Sequence, residues 1–224
     1  MHSGRNYSLK EALIWTRRDI LFHLLMACIP TVLYKIVGCN WLAIPWLPIA
    51  MVGTAVAFVV GFKNNASYDR LWEARKAWGA IVNSSRFWGI MIKDYVTNKH
   101  AALPLSQLEL KQIHQQLVYR HLAWLAALRY QLREHRPWES MALVHNIEYR
   151  EKTFRVPEYL VPLEEELAKY LNPEELQYVL GKKNKATQII SLQSRQLQQL
   201  LDKGLVEDFR HIELMELLSE LYNQ

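Results

Sequence analysis

Two cysteines, Cys28 and Cys39, are all that the 224-residue chain has. They are too few for a disulfide framework or a metal quartet, and simple packing is the reading for both. No Gly-rich phosphate loop, no HExxH, no CxxC pair and no GxSxG elbow occurs, and the eight histidines are dispersed. An enzyme built from this chain would need a constellation assembled only in three dimensions. No catalytic, metal-binding or cofactor-holding residue is therefore assigned. Internal repeats and low-complexity linkers are missing too, which points to one continuous architecture.

The absence that organises the chain is one of charge. From Trp41 to Phe62 there is no charged side chain in 22 residues. At 1.5 Å per helical residue that stretch is roughly 33 Å long, enough to cross a bilayer. Its character then flips within one residue. Lys63, Asn64, Asn65, Asp69, Arg70, Glu73, Arg75 and Lys76 follow, and neither proline nor glycine intervenes between Gly61 and Gly79. Such a pattern predicts a helix that begins in lipid and continues into water.

Half of the residues are apolar, yet they crowd the first quarter of the chain, ahead of a polar remainder rich in Leu, Gln, Glu and Lys. The net charge of +5 suits nucleic acid, anionic lipid or the flanks of membrane helices. Placement decides among these. Arg17 and Arg18 precede the first apolar run, Lys63, Arg70, Arg75 and Lys76 follow the second, and only Lys35 lies between. This is a membrane pattern with both flanks cytoplasmic, and nucleic acid is not a partner. A secretory signal fits poorly, because a second span follows the first apolar run and no small-residue cleavage pattern stands after it.

In chain order, residues 6–18 read as a short interfacial amphipathic helix, and Asp19–Gly38 as a first span that Pro30 would kink. His23 is read as an interfacial histidine in preference to a proton relay. A connection at Gly38-Cys39-Asn40 leads into the second span, giving a helical hairpin. Pro45 and Pro48 fall in its first turns, where missing amide donors cost least.

Beyond Gly79, helical periodicity continues over residues 80–98. A long amphipathic helix is predicted for Leu105–Arg136, with the stripe Leu110, Ile113, Leu117, His121, Trp124, Leu128 and Leu132. His121 is read as buried and hydrogen-bonded, and His114 as lying aside. A Pro-Trp-Glu-Ser helix start at 137–140 opens an irregular region. The triplet Glu164, Glu165 and Glu166 is read as a solvated helix face. Asn172-Pro173-Glu174-Glu175 is a strong helix start that Gly181 ends. Further helices are predicted from Lys185 to Lys203, closed by Gly204, and from Glu207 to Tyr222 with the stripe Phe209, Ile212, Met215 and Leu218.

Steps of four along the second span align Thr54, Phe58 and Phe62, flanked by small Gly53, Ala55, Ala57 and Gly61 that let helices approach closely. Around a common axis these three would stack as rings. Apolar rings gate a narrow pore by dewetting, and aromatic edges carry positive quadrupole character toward a passing anion. Phenylalanines that simply face lipid or core are the plainer reading, and spacing alone does not displace it.

The run FKNNASYDRLWEARKAWG, Phe62 to Gly79, with the preceding GTAVAFVVG, closely resembles the bacterial branch of the bestrophin family. Weaker resemblance extends through residues 128–133 and the helix ending at Gly204. The resemblance implies an all-α subunit of a homopentameric ion channel, a membrane hairpin continuing into a cytosolic bundle, with residues 1–62 membrane-associated and 63–224 cytosolic. By that similarity the neck maps onto Thr54, Phe58 and Phe62, where Thr54 departs from the family's usual apolar residue. The cytosolic aperture falls at Ile189 or Ile190. Asp69, Arg70, Glu73 and Arg75 are assigned to pairing between subunits below the neck, in preference to a charge run that only enforces orientation, because Asp69 and Glu73 stand at helical spacing to Lys76 and Arg70. Implied partners are other copies of the chain, the lipid bilayer of the inner membrane, and chloride or other monovalent ions.

Family members are longer, with a further membrane pair, so the resemblance implies a C-terminally truncated chain. Nothing in it supplies the acidic calcium clasp of eukaryotic members. The competing expectation is a membrane-anchored helical scaffold, in which the hairpin only tethers a soluble bundle.

Overall fold

Leucine, isoleucine and alanine make up ten of the 24 residues of Leu9–Val32, which forms helix α1. Within it the hydroxyls of Thr16 and Thr31 donate to the carbonyls of Ala12 and Ala27 at 2.8 and 2.7 Å. Each polar side chain is thereby satisfied by its own helix, as an apolar surrounding demands. The structure, a computed structural model, describes residues 8–43, 45–101, 103–134, 147 and 157–224. Residues 6 and 7 and the helix start expected at 137–140 lie outside them. These residues are all-helical, with no strand among them.

Two expectations about this first segment need correction. No separate interfacial helix ends near Arg18, because α1 runs unbroken from Leu9 past Asp19; no helix breaker stands between the two pieces. At Pro30, where the sequence predicts a kink, the α-helix is not interrupted. It continues to Val32 and then widens into a π-turn over Leu33–Val37. A proline lacks the donor for the carbonyl four residues back, and here the ladder re-registers just beyond it. Gly38 closes the segment at φ 78°, its N–H donating to the Leu33 carbonyl. A 3₁₀ turn, Asn40–Leu42, leads to α2, Trp46–Tyr95.

Contacts divide the described residues into two units, one within Met1–Leu71 and one made of Trp72–Pro137 and Pro157–Gln224. In the first, the apolar side chains stand exposed, including Leu24, Ile29, Val52 and Val59. Two helical stretches, Ala12–Val37 and part of Asn40–Tyr95, are long and apolar enough to cross a membrane, with none of the qualifying residues buried by protein. Burial along α2 begins at Ile81 and continues through Ser84, Trp88, Met91 and Ile92.

In the second unit, α2 is joined by α3 (Gln107–Arg133), α4 (Leu163–Leu167), α5 (Pro173–Leu180), α6 (Lys185–Asp202) and α7 (Asp208–Asn223). Helix α3 is shorter than expected at both ends. Ser106 caps it, accepting from the Glu109 N–H at 3.3 Å while Glu109 accepts from the Ser106 N–H at 2.8 Å. This reciprocal box fixes the start one turn inside the Pro104 boundary. The Ser106 hydroxyl and N–H hold the Glu109 carboxyl below its usual range. Asn172 and Asn184 cap α5 and α6 by accepting from the N–H of Glu175 and Thr187.

Leu117, Ile189, Leu197 and Leu214, each 0 % exposed, mark the centre of the core. On α7 the buried residues are Leu214, Leu217, Leu218 and Leu221, whereas Phe209, 78 % exposed, and Ile212 face outward. Of the expected stripe, Leu218 is buried and Met215 packs against the core, while Phe209 and Ile212 do not. Both faces of that helix carry apolar residues at helical spacing, so only its neighbours decide which one is covered.

Candidate functional site

Thr54, Phe58 and Phe62 sit in the uncharged part of α2, one turn apart on one face, and all three are exposed in the chain. The rings of Phe58 and Phe62 are 63 % and 71 % exposed, a surface that only lipid or other protein can cover in a membrane. Thr54 is less polar in place than its formula suggests. Its hydroxyl donates to the Ala50 carbonyl at 2.9 Å, which uses the donor and leaves only lone pairs toward the outside. Beside this file, a Cβ added at Gly53 or Gly61 would meet nothing within 4 Å.

Farther along α2 the chain keeps charge in the open. Asp69, Arg70, Glu73 and Arg75 are exposed, and none forms an ion pair with another described residue. Lys76, which helical spacing offered as a partner for Asp69 or Glu73, stands over the Trp72 ring at 5.7 Å instead.

The two isoleucines of α6 part company. Ile189 is 0 % exposed inside the bundle. Ile190 is half-buried and borders a cleft of about 430 Å³ with Trp78, Trp124, Thr187 and Tyr222. Ile190 is thus the one of the pair whose side chain reaches open space.

Sequence reasoning missed a polar network that fixes α6. Arg120, 4 % exposed, lies on α3 beside the apolar stripe. Its guanidinium donates to Glu175 at the start of α5, to the Gln196 carboxamide, and at 3.4 Å to the Leu192 carbonyl. Gln196 in turn donates to Gln116 at 2.9 Å. One buried cation so ties three helices together. The only trace in the sequence is an arginine next to His121 in an otherwise apolar file.

The histidines also differ from expectation. His121 is buried, but neither ring nitrogen has a hydrogen-bond partner among the described residues. It lies between Trp88 and Trp124 at ring distances of 5.8 and 5.2 Å. Burial pushes its pKa down to about 4, so the ring is neutral at pH 7. His114, set aside as idle, pairs with the Val96 carbonyl at 2.8 Å and joins α3 to the end of α2. Of the acidic triplet, Glu166 is not simply solvated: it holds Lys169 at 2.6 Å and has Arg129 at 3.8 Å.

The family model described as Bacterial/Fungal Bestrophin protein matches residues 12–224. A voltage-dependent anion channel-forming protein of Ralstonia nicotianae, RSc3414, is 37 % identical over 95 residues, 42 % of this chain and 28 % of the relative. The Escherichia coli K12 protein of the same description, YneE, is 28 % identical over 174 residues, 78 % of this chain and 45 % of the relative. The chain therefore spans less than half the length of these relatives in the matched regions. Among solved structures, a bacterial bestrophin homolog from Klebsiella pneumoniae superposes with a TM-score of 0.70 at 21 % identity, covering 93 % of this chain and 64 % of the homolog. That likeness establishes the fold.

Proposed function

The chain belongs to the bacterial and fungal bestrophin family, and on that premise we propose that it is a subunit of a passive ion channel in which five copies surround one axis. In this reading α2 lines the pore. Thr54, Phe58 and Phe62 form three stacked rings at the neck, and Ile190, in preference to Ile189, narrows the cytosolic exit. Residues 1–62 lie in or on the inner membrane, the N-terminus and residues 63–224 face the cytoplasm, and monovalent ions pass. Anions are the favoured cargo, because curated relatives are named as anion channel-forming proteins.

The observation that carries the reading is the exposed file on α2. A helix with no charge from Trp46 to Phe62 presents two phenylalanines and a back-bonded threonine in line, next to glycines where an added Cβ would meet no described atom within 4 Å. Apolar side chains in a narrow water-filled passage resist wetting and so limit conduction. Below them, the unpaired Asp69, Arg70, Glu73 and Arg75 are suited to pairing between neighbouring copies, where opposite charges fix register. Ile190 is supported by its partial exposure, since a side chain enclosed in one subunit's own core cannot narrow a shared opening.

Flux through liposomes carrying the purified protein tests this. Phe58→Ala with Phe62→Ala is expected to raise anion conductance several-fold and weaken discrimination among ions, because the barrier to wetting falls. Unchanged conductance and selectivity in that variant would remove the neck assignment, and absence of flux from the unaltered protein would remove the channel reading.

A further inference from the structure

Several buried side chains of the helical unit carry polar atoms that no described residue satisfies, Arg120 Nε among them. Three of these side chains have no described hydrogen-bond partner at all for their polar ends. Trp88 on α2 is 1 % exposed, His121 on α3 is 4 % exposed, and Gln193 on α6 is 0 % exposed. The unpartnered atoms are Trp88 Nε1, both ring nitrogens of His121, and both ends of the Gln193 carboxamide. Buried polar groups of this kind almost always have a partner, protein or ordered water, because leaving them dry in an apolar core is costly.

The three belong to one level of the bundle. The rings of Trp88 and His121 lie 5.8 Å apart and nearly parallel. For α3 and α6, Gln116 meets Gln196 and Arg120 meets Leu192, so residue numbers fall on one helix as they rise on the other. In that antiparallel register His121 is level with Ser191, so Gln193 stands within two residues of His121, about 3 Å along the axis. We propose that Trp88, His121 and Gln193 enclose an internal water site between α2, α3 and α6.

The donor and acceptor inventory selects the occupant. An indole N–H only donates, a carboxamide oxygen only accepts, and a neutral imidazole offers one of each. An anion would leave the carboxamide oxygen and the imidazole acceptor unmet. A cation would leave the indole and amide N–H groups unmet, and these cannot ligate a metal. Water donates and accepts, and a buried water of about three hydrogen bonds matches such a mixed site. Gln193 lies one turn after Ile189 on the buried face of α6, so the site sits beneath the segment that carries Ile190. It is independent of ion conduction.

A crystal structure of the chain that resolves ordered solvent, recorded once in sodium chloride and once in sodium bromide, tests the proposal. Density within hydrogen-bond distance of at least two of the three groups, without anomalous signal from bromine, is expected. A bromine peak there would make the occupant an anion and overturn it, as would direct pairing of the three side chains with no density between them. Gln193→Met, close in volume but without the carboxamide, is expected to lose that density while keeping the fold. If that variant does not fold, His121→Phe serves the same purpose. Density that persists unchanged in a folded variant lacking either group would also overturn the assignment.

Discussion

At the scale of single residues, His121 turns burial into pH dependence. Its folded pKa of about 4 lies below the ordinary histidine value near 6.5. Between those values the unfolded chain binds a proton that the folded chain does not, so stability rises with pH in that window. The contribution is fully present above about pH 6.5 and is lost progressively as pH falls to 4, a change on the order of 3 kcal/mol. Unfolding midpoints followed by circular dichroism from pH 7 to pH 4 check this. His121→Phe is expected to flatten that part of the profile; an unchanged slope would mean that other groups carry it. Arg120 is a different kind of buried group. Its charge is met by Glu175, Gln196 and a carbonyl, so truncating one partner leaves the other charge or amide unmet, whereas the neutral His121 ring brings no charge that needs a partner.

Among the elements, two glycines at positive φ separate conformational strain from steric conflict. Gly38 ends the π-turn at φ 78° with open space around an added Cβ. Gly204 ends α6 at φ 68°, and there a Cβ would stand 2.7 Å from the His100 carbonyl oxygen. Gly38→Ala is therefore expected to cost about 1 kcal/mol, the ordinary left-handed penalty. Gly204→Ala should cost clearly more, since backbone must also move, and comparison of the two unfolding midpoints checks it. Equal losses would show that the loop at His100 yields freely. Gly204 illustrates what can be read from a sequence: a glycine after an amphipathic run is a local signal, as are Asn172 and Pro173 at the start of α5. The stripe on α7 was legible at Met215 and Leu218 but not at Phe209 and Ile212, because Phe209 and Leu214 are both strongly apolar and only the packing of neighbouring helices selects between them. The same holds for Arg120 and Glu175, 55 residues apart, whose meeting depends on how three helices pack.

For the whole molecule, what is legible is set by where the chain meets its surroundings. The uncharged stretch and the charged run after Phe62 are responses to lipid and water, media that act on every residue locally, so hydropathy reveals them. The cover on Thr54, Phe58 and Phe62 is another matter, since all three stay exposed in the single chain. Gly61 gives the sharpest way to ask what does. In the lone chain its surroundings are open, and Ala is the better helix former by about 1 kcal/mol. Gly61→Ala should thus stabilise α2 slightly and Gly61→Leu should leave the fold of a single copy intact. If neighbouring copies bring their α2 helices together along the Gly53 and Gly61 edge, the effect on assembly has the opposite sign, because added side chains hold the backbones apart. Chemical crosslinking and native mass in mild detergent are expected to show oligomers reduced with Ala and lost with Leu, while circular dichroism keeps its helical signal. Oligomers that survive Gly61→Leu would place the close approach elsewhere on the helix. Monomers from the unaltered chain would mean that the exposed face of α2 meets lipid and not a second copy.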